Sequence, residues 1–322
     1  MGKRVLITGA NSGIGYHAAL KLARKGAQVV LACRDRGRGE DALHRLQADA
    51  PGTHVELAIL DLASLASVRE FAAKELAQHR PLHILINNAG VMAPPKRLET
   101  KDGFELQFGT NVLGHFALTA LLMPALEQAA AECNGCRPRI ITLASIAHKR
   151  GKINFDDLQS VKSYSPMRAY QQSKLADLIF AFELDRRLRA AGSRVMSVAA
   201  HPGVANTNLF QTGGYSQLEK TLRSLVGHAI DILLNTDAEG ALPTLYAATA
   251  AAATDGGYYG PQGFQEMRGE VVGPAIVSAP AQDAAAATRL WKICEDLSGI
   301  RFQVAGSRFP KPSTSTLSIP LS

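Results

Sequence analysis

The chain has 322 residues, of which 46% are hydrophobic and 20% charged, and a formal net charge of +7. This length and apolar content suffice for one large core, and the charge is spread without a long Lys/Arg block, which argues against a nucleic-acid-binding protein. There is no run of about 18 or more apolar residues, the length that crosses a bilayer, and the first apolar run begins at Lys3, so a soluble, cytoplasmic protein without a membrane span is expected.

Residues 3–8 form a short, β-branched apolar run, followed by Gly9-Ala10-Asn11-Ser12-Gly13-Ile14-Gly15 and an apolar-periodic stretch reaching Gly26. This reads as strand, tight glycine turn and helix. Gly9 allows the sharp turn, Gly13 lets backbone amides approach a pyrophosphate, and Gly15 permits close packing of helix on strand. The spacing is G-x-x-x-G-x-G and not the commoner G-x-G-x-x-G, and a purely structural turn would look alike. Its place between strand and helix favours dinucleotide binding.

A second strand over 28–33 ends in Cys33 and is followed by Arg34. An acidic side chain there would bind both ribose hydroxyls and repel a 2′-phosphate, whereas Arg34 can fork onto phosphate oxygens, so NADP(H) is expected in preference to NAD(H). Asp35 is the counter-argument, because it can pair with Arg34 or Arg36 and leave Arg34 a solvated loop charge.

Next come a helix over 41–48, a strand over 55–60 ending at Asp61 and Leu62, and a helix over 64–78. Asp61 can accept from an adenine amino group or cap the helix beginning near Ser64. A strand over 82–86 runs into Asn87-Asn88-Ala89-Gly90, again placing polar groups and a glycine at a carboxyl edge. Then follow a helix over 111–130, a strand over 139–144 with Ser145 at its end, and a helix over 167–190. A strand over 194–199 leads into His201-Pro202-Gly203. Repeated strand–helix units predict an α/β fold, a single-domain doubly wound (Rossmann) parallel sheet of about seven strands covered on both faces, over residues 1–304.

Residues 204–236 carry leucines and isoleucines at near-helical spacing and read as a lid over the substrate, although a surface helix packed on the core has the same pattern. Residues 241–253 are expected to be helical, 257–259 to form the last strand and 283–297 the last helix. Pro, Ser and Thr dominate 305–322, which reads as a disordered tail. The four cysteines include a single C-x-x-C, Cys133 and Cys136. With neither a second pair nor a His cluster nearby, two reduced loop thiols and no metal are expected.

Tyr170 and Lys174 stand four apart on the helix over 167–190 and so share one face. An ammonium beside a phenol favours the phenolate, which suits proton transfer to or from a carbinol oxygen near neutral pH. The rival, Tyr164, has Arg168 four residues on, and an arginine does not bridge phenol and ribose in the same way.

With these motifs in order, the chain resembles the short-chain dehydrogenase/reductase family over roughly residues 3–300. Within it the resemblance is to the branch of retinol dehydrogenases, WW-domain oxidoreductases and protochlorophyllide reductases. The motifs are Thr8-Gly9 with Gly13-Ile14-Gly15, Asn87-Asn88-Ala89-Gly90, Asn111-Val112-Leu113-Gly114-His115-Phe116, Ser145, Tyr170 with Lys174, and Pro202-Gly203 with Thr207. The resemblance implies that Tyr170 is the general acid in carbonyl reduction and the base in alcohol oxidation. Lys174 would lower the phenol pKa and bind the nicotinamide ribose, Ser145 would hydrogen-bond the developing alkoxide, and Asn111 would hold a relay water. It also implies that Thr207 and the backbone near Val204 hold the carboxamide, with Asn88 and Gly90 near the adenosine ribose. Ser145 precedes Tyr170 by 25 residues, wider than in many members, and the retinol-dehydrogenase-like branch carries a similar insertion. The expected substrate is a lipophilic carbonyl compound or alcohol. The resemblance suggests a homodimer through the helices starting near Asn111 and Met167, whose faces would equally suit plain core. A catalytically silent dinucleotide-binding regulator, and a reductase of a carbon–carbon double bond, are the competing readings.

Overall fold

Alternation along the strands decides which side chains cover each face of the sheet. In β1 (Arg4–Thr8) Val5 and Ile7 pack on one side and Leu6 on the other, all three without exposed surface. The same period of two separates Val29 and Leu31 from Val30 in β2 (Gln28–Cys33). The computed structural model describes residues 2–133, 135–204 and 235–303. Most of the expected lid, the expected tail and Thr207 therefore lie outside the described residues.

The remaining strands are β3 (Val55–Ile59), β4 (Ile84–Asn87), β5 (Arg139–Leu143), β6 (Met196–Ala200), β7 (Tyr258–Pro261) and β8 (Val272–Pro274). They form one sheet in the order β3-β2-β1-β4-β5-β6-β7-β8. Helices α1 (Gly13–Arg24), α2 (Arg36–Asp49) and α6 (Leu242–Thr249) cover the face carrying Val5 and Ile7. The other face is covered by α3 (Leu65–Leu76), α4 (Gly114–Glu132), α5 (Pro166–Ala190) and α7 (Ala284–Ser298). There Phe116, Trp291 and Phe302 meet edge-on or tilted, with ring centroids 4.9–5.8 Å apart. Because β1 has β2 on one side and β4 on the other, the order reverses beside it. That reversal opens a crevice at the carboxyl ends of β1 and β4, where doubly wound sheets bind ligands.

The structure corrects four expectations. The strand at Tyr258–Pro261 is not the last: an eighth strand among the described residues, β8, follows it and runs antiparallel to β7. Its three residues, Val-Gly-Pro, lack a strand-like pattern, and a proline is tolerated there because β8 is an edge. Helix α2 starts at Arg36 instead of residue 41, because the Asp35 carboxylate accepts from the Arg38 amide at 2.9 Å and caps it. Gly39 hides this in the sequence as an apparent breaker. It packs close to β3, where a Cβ would lie 2.6 Å from Leu57 Cδ1 and the leucine side chain would have to turn aside. The alanine-rich stretch is helical only through Thr249.

Cys133 and Cys136, expected as reduced thiols, are joined as a disulfide. The Cys136 amide donates to the Cys133 carbonyl at 3.3 Å, folding the chain back at the end of α4 until the two Cα atoms are 5.2 Å apart, within bridging range. Phe108–Glu132, the π-helical turn leading into α4 together with α4, is apolar and long enough to cross a bilayer by length and composition. Its most apolar stretch is 89% buried inside the fold, so its apolar character is accounted for by the core.

Candidate active site

The glycine turn is built by backbone constraints first. Gly9 and Gly13 have φ of +65° and +58°, a region that side chains other than glycine seldom occupy. A Cβ on Gly15 would come within 2.5 Å of Asn88 Nδ2 and 2.7 Å of the Gly9 carbonyl. Ser12 precedes α1 without capping it through its side chain, so the first-turn amides keep the character of an anion site. Asn11 is steadied from α2, where Arg45 donates to its carbonyl at 3.1 Å. A groove of about 430 Å³ opens beside this turn, lined by Ser12, Gly13, Tyr16, His17, Arg45 and Asp237 among others. Neither Ser145 nor Tyr170 lines it.

Behind the turn, the ends of β1 and β4 are tied through Thr8. Its hydroxyl accepts from the Asn88 and Ala89 amides, both at 2.9 Å, which uses its two lone pairs. Its one hydrogen is left for His115 Nε2 at 2.9 Å, in preference to the Ile86 carbonyl at 3.4 Å. His115 Nδ1 therefore carries the ring hydrogen and donates to the Asn111 carbonyl at 2.8 Å. Burial pulls the His115 imidazole down to about 4, consistent with that neutral ring. The Asn88 amide group donates to the Thr8 carbonyl at 2.7 Å, closing the crevice wall.

Asn111 sits in the π-helical turn Phe108–Leu113 and is fully buried. Its side chain clamps Val91 from both sides, accepting from the amide at 2.8 Å and donating to the carbonyl at 3.0 Å, and also donates to Ser173 Oγ at 3.0 Å. The side chain thus fixes the loop after β4 against α5. Gly90 follows the same path, and a Cβ there would lie 3.4 Å from Asn111 Oδ1 and 3.8 Å from Lys174 Nζ.

The structure brings Ser145, Tyr170 and Lys174 to the same sheet edge. Ser145 follows β5 and opens the 3₁₀ turn Ile146–Arg150, its Oγ accepting from the Ala147 amide at 3.2 Å, so the hydroxyl hydrogen is free to be donated. Tyr170 lies in the first turns of α5 and is 8% exposed. Its hydroxyl makes no hydrogen bond among the described residues. One turn on, Lys174 Nζ donates to the Leu143 carbonyl at the end of β5 at 2.9 Å and to Asp177 Oδ2 at 2.8 Å. Burial works against the ammonium, but Asp177 and Tyr170 outweigh it and hold Lys174 above the usual lysine range. The rival Tyr164 donates its hydroxyl to the Pro94 carbonyl at 2.8 Å and is committed there.

Beside Ser145 lies a second polar cluster. His148 Nδ1 donates to the Ser145 carbonyl at 2.7 Å. His201 Nδ1 accepts from the Gly203 amide at 3.1 Å, so its Nε2 hydrogen faces Glu266 Oε2, 3.5 Å away. Glu266 also receives Lys149 Nζ and the Ile276 amide, each at 2.6 Å. Burial alone would raise this carboxyl, but those donors hold it down at about 2, against an ordinary 4.5. A depressed carboxylate contributes stability that is present above pH 4.5 and is lost as pH falls from there toward 2. Glu266→Gln is therefore expected to lower stability at pH 7 by about 2–3 kcal/mol and to flatten the acid limb of denaturant-unfolding stability.

Of the remaining predicted positions, Arg34 is exposed and makes no ion pair or hydrogen bond among the described residues. Asp35, the suspected competitor, is occupied as the α2 cap. Asp61 has both oxygens engaged, by the Ala63 amide at 3.1 Å and Lys101 Nζ at 3.0 Å, while Ser64 itself caps α3. Leu62 is buried, and its carbonyl would lie 2.5 Å from a Cβ on Gly114. Ile14 is buried in α1. Pro202, Gly203 and Val204 sit at the end of β6, with Gly203 at φ +74° and Val204 donating to the Met267 carbonyl at 2.8 Å.

His115, Asp177, His201 and Glu266 were not singled out as site residues from the sequence. His115 stands four after Asn111 and Asp177 three after Lys174, so helical spacing carries a signal for both. Glu266 has φ of +59° in an irregular loop, and no sequence periodicity points to it.

The glycine turn and the crevice at the β1/β4 reversal belong to a doubly wound nucleotide-binding fold, and the Ser145, Tyr170 and Lys174 edge beside them is the candidate site. The profile of the short chain dehydrogenase family matches residues 3–215, and the chain belongs to that family, in its retinol-dehydrogenase-like branch. It is 42% identical over 301 residues to retinol dehydrogenase 13 of Homo sapiens, covering 93% of this chain and 85% of that protein. Its identity to polyprenol dehydrogenase of Mus musculus is 43% over 249 residues, covering 77% and 72%. An uncharacterized protein from Mycobacterium Paratuberculosis, known from its crystal structure, superposes with a TM-score of 0.74 at 39% identity, covering 94% and 95%. The chain is a pyridine-nucleotide-dependent oxidoreductase acting on an alcohol or carbonyl group.

Proposed function

We propose that this oxidoreductase prefers NADP(H) and interconverts a lipophilic carbonyl compound and its alcohol, with Tyr170 moving the proton. The observation that carries the reading is the free Tyr170 hydroxyl, one helical turn from a buried Lys174 ammonium and on the same sheet edge as the Ser145 hydroxyl. The residues fit a dinucleotide. Two glycines hold positive φ, α1 begins without a side-chain cap, and unpartnered Arg34 follows β2 where an acidic residue would favour a bare ribose. Thr8, Gly9, Asn11, Ser12, Gly13, Ile14 and Gly15 would hold the pyrophosphate side. Asp61, Leu62, Asn88, Ala89 and Gly90 would flank the adenosine, and Pro202, Gly203 and Val204 the nicotinamide. The bound nicotinamide supplies or accepts the hydride.

The chain's own residues manage the proton and the oxygen. Tyr170 donates its hydroxyl hydrogen to the carbonyl oxygen in reduction and takes it back in oxidation, while Ser145 donates to the same oxygen and steadies its negative charge. Lys174 supplies the positive field, and Asn111 fixes the loop carrying Gly90. Lipophilic substrates are supported by relatives named for retinol and polyprenol. The test is turnover with NADPH and NADH against a panel of lipophilic aldehydes and ketones. Failure with every member of the panel would sink the reading. The cofactor preference is tested separately by fluorescence titration. Arg34→Leu is expected to weaken NADPH binding by about 10-fold or more, the loss of a charge-assisted phosphate contact, and to leave the Kd for NADH unchanged.

A further inference from the structure

We infer that Arg45 is a positioning residue for the dinucleotide: reaching from α2 to the Asn11 carbonyl, it holds the glycine turn in the orientation that meets the pyrophosphate. The inference rests on the reading of that turn as the pyrophosphate site. It does not depend on Tyr170, on the substrate or on the choice between NADP(H) and NAD(H). Arg45 is exposed on the polar side of α2, where an arginine is ordinarily a solvated charge.

Here the side chain is committed. Its guanidinium lies over the Tyr16 ring of α1, 4.7 Å from the centroid, and donates to the Asn11 carbonyl at 3.1 Å. Stacking of this kind orients the arginine fork before a ligand arrives. The platform is itself fixed, because the Tyr16 hydroxyl donates to Asp49 Oδ2 at 2.9 Å and Arg24 donates to the Asp49 carbonyl at 2.8 Å. Arg45 and Asp49 stand four apart on α2, so one face of that helix meets Tyr16 at both the ring and the hydroxyl.

Peptide geometry carries this to the ligand side. In a trans peptide the N–H points opposite to the C=O it follows, so holding the Asn11 carbonyl against α2 turns the Ser12 amide away from α2. The preceding amides, of Ala10 and Asn11, face the buried Cys33 thiol of β2. The turn is thus held twice, by β2 at its amides and by α2 at its carbonyl. Arg45 also lines the groove of about 430 Å³ together with Ser12 and Gly13. Direct contact with a ligand phosphate is therefore the rival role, and the two roles differ in what they predict.

The experiment is fluorescence titration of the full chain with NADPH and with NADH, at low salt and at 1 M salt, beside thermal melts. Arg45→Met keeps a long side chain over Tyr16 and donates nothing. It is expected to raise the Kd of both nucleotides by the same factor, about 5- to 10-fold, the loss of one charge-assisted hydrogen bond. That factor should persist at 1 M salt, where a charge acts over only about 3 Å while the orientation of the turn is unaffected. In turnover the KM for the cofactor should rise alike, with kcat within about twofold of wild type. Tyr16→Leu removes the platform and should weaken both nucleotides several-fold, adding little in the Arg45→Met background. Should Tyr16→Leu melt at the assay temperature, the exposed Arg45 variant decides.

A loss confined to NADPH, or one that vanishes at 1 M salt, would make Arg45 a phosphate contact acting through its charge and would overturn the inference. A lowered melting temperature with unchanged Kd values would give Arg45 a merely structural role and overturn it equally. Binding is read without substrate, so a protein that turns over no alcohol or carbonyl compound still decides the matter. A wild type that binds neither nucleotide would reject the inference together with the proposed function.

Discussion

Tyr170→Phe is expected to lower kcat/KM by about 10³-fold while changing the Kd for NADPH by no more than about twofold. The phenol ring is packed in α5 and 8% exposed, and its hydroxyl bonds nothing else among the described residues. Deleting one oxygen therefore leaves no orphaned partner and no broken fold contact. What disappears is the hydrogen that must reach the carbonyl oxygen. Ser145 remains able to donate to that oxygen, so the residual rate should stay above that of a variant lacking both hydroxyls. Steady-state kinetics with a reactive aldehyde, beside cofactor fluorescence, separates the two quantities. Equal losses in binding and turnover would instead mean that Tyr170 holds the cofactor and moves no proton.

The second large effect concerns stability. Arg4→Leu is expected to destabilise the fold by about 3–5 kcal/mol in denaturant unfolding, the usual cost of leaving one member of a buried ion pair alone. Arg4 opens β1 with its side chain 4% exposed and donates to Glu75 of α3 at 2.6 Å and Glu56 of β3 at 3.0 Å. Glu56 keeps Arg80 at 2.9 Å after the substitution, and nearly half of its side chain already meets solvent. Glu75, 8% exposed, keeps no cation. The Arg4→Leu/Glu75→Leu double variant should recover to within about 1 kcal/mol of wild type, because packed leucines replace a pair whose desolvation cost offset most of its attraction. A double variant as unstable as the single one would show that Arg4 acts through its contact with Glu56 or through packing.

The parts of the candidate edge are encoded locally, which is why the sequence alone singles them out. Tyr170 and Lys174 are one helical turn apart, Ser145 closes an apolar run, and the glycines occupy backbone geometries that few other residues adopt. Most helices and strands were legible for the same reason. What was hidden depends partly on contacts between distant segments and partly on local backbone geometry that apolar periodicity does not report. The strand role of Val272–Pro274 exists only because β7 offers it an edge, and the early start of α2 rests on Asp35 as a cap beside two glycines that read as breakers. The bond between Cys133 and Cys136 follows from how the chain folds back at the end of α4. Glu266 reaches His201 and Lys149 from more than 60 positions away in sequence, a juxtaposition that no local pattern encodes.

Asn235 joins the two points where the chain leaves and regains the described fold near β6. Its amide donates to the Val204 carbonyl at 3.0 Å, and its side chain bonds the Pro202 carbonyl and the Gly269 amide at 2.9 and 3.1 Å. In polymer terms the connection between Val204 and Asn235 is a closed ring whose ends the sheet already holds. The geometry of Pro202 and Gly203 is thereby held from both sides, by β6 before them and by Asn235 and Gly269 across from them.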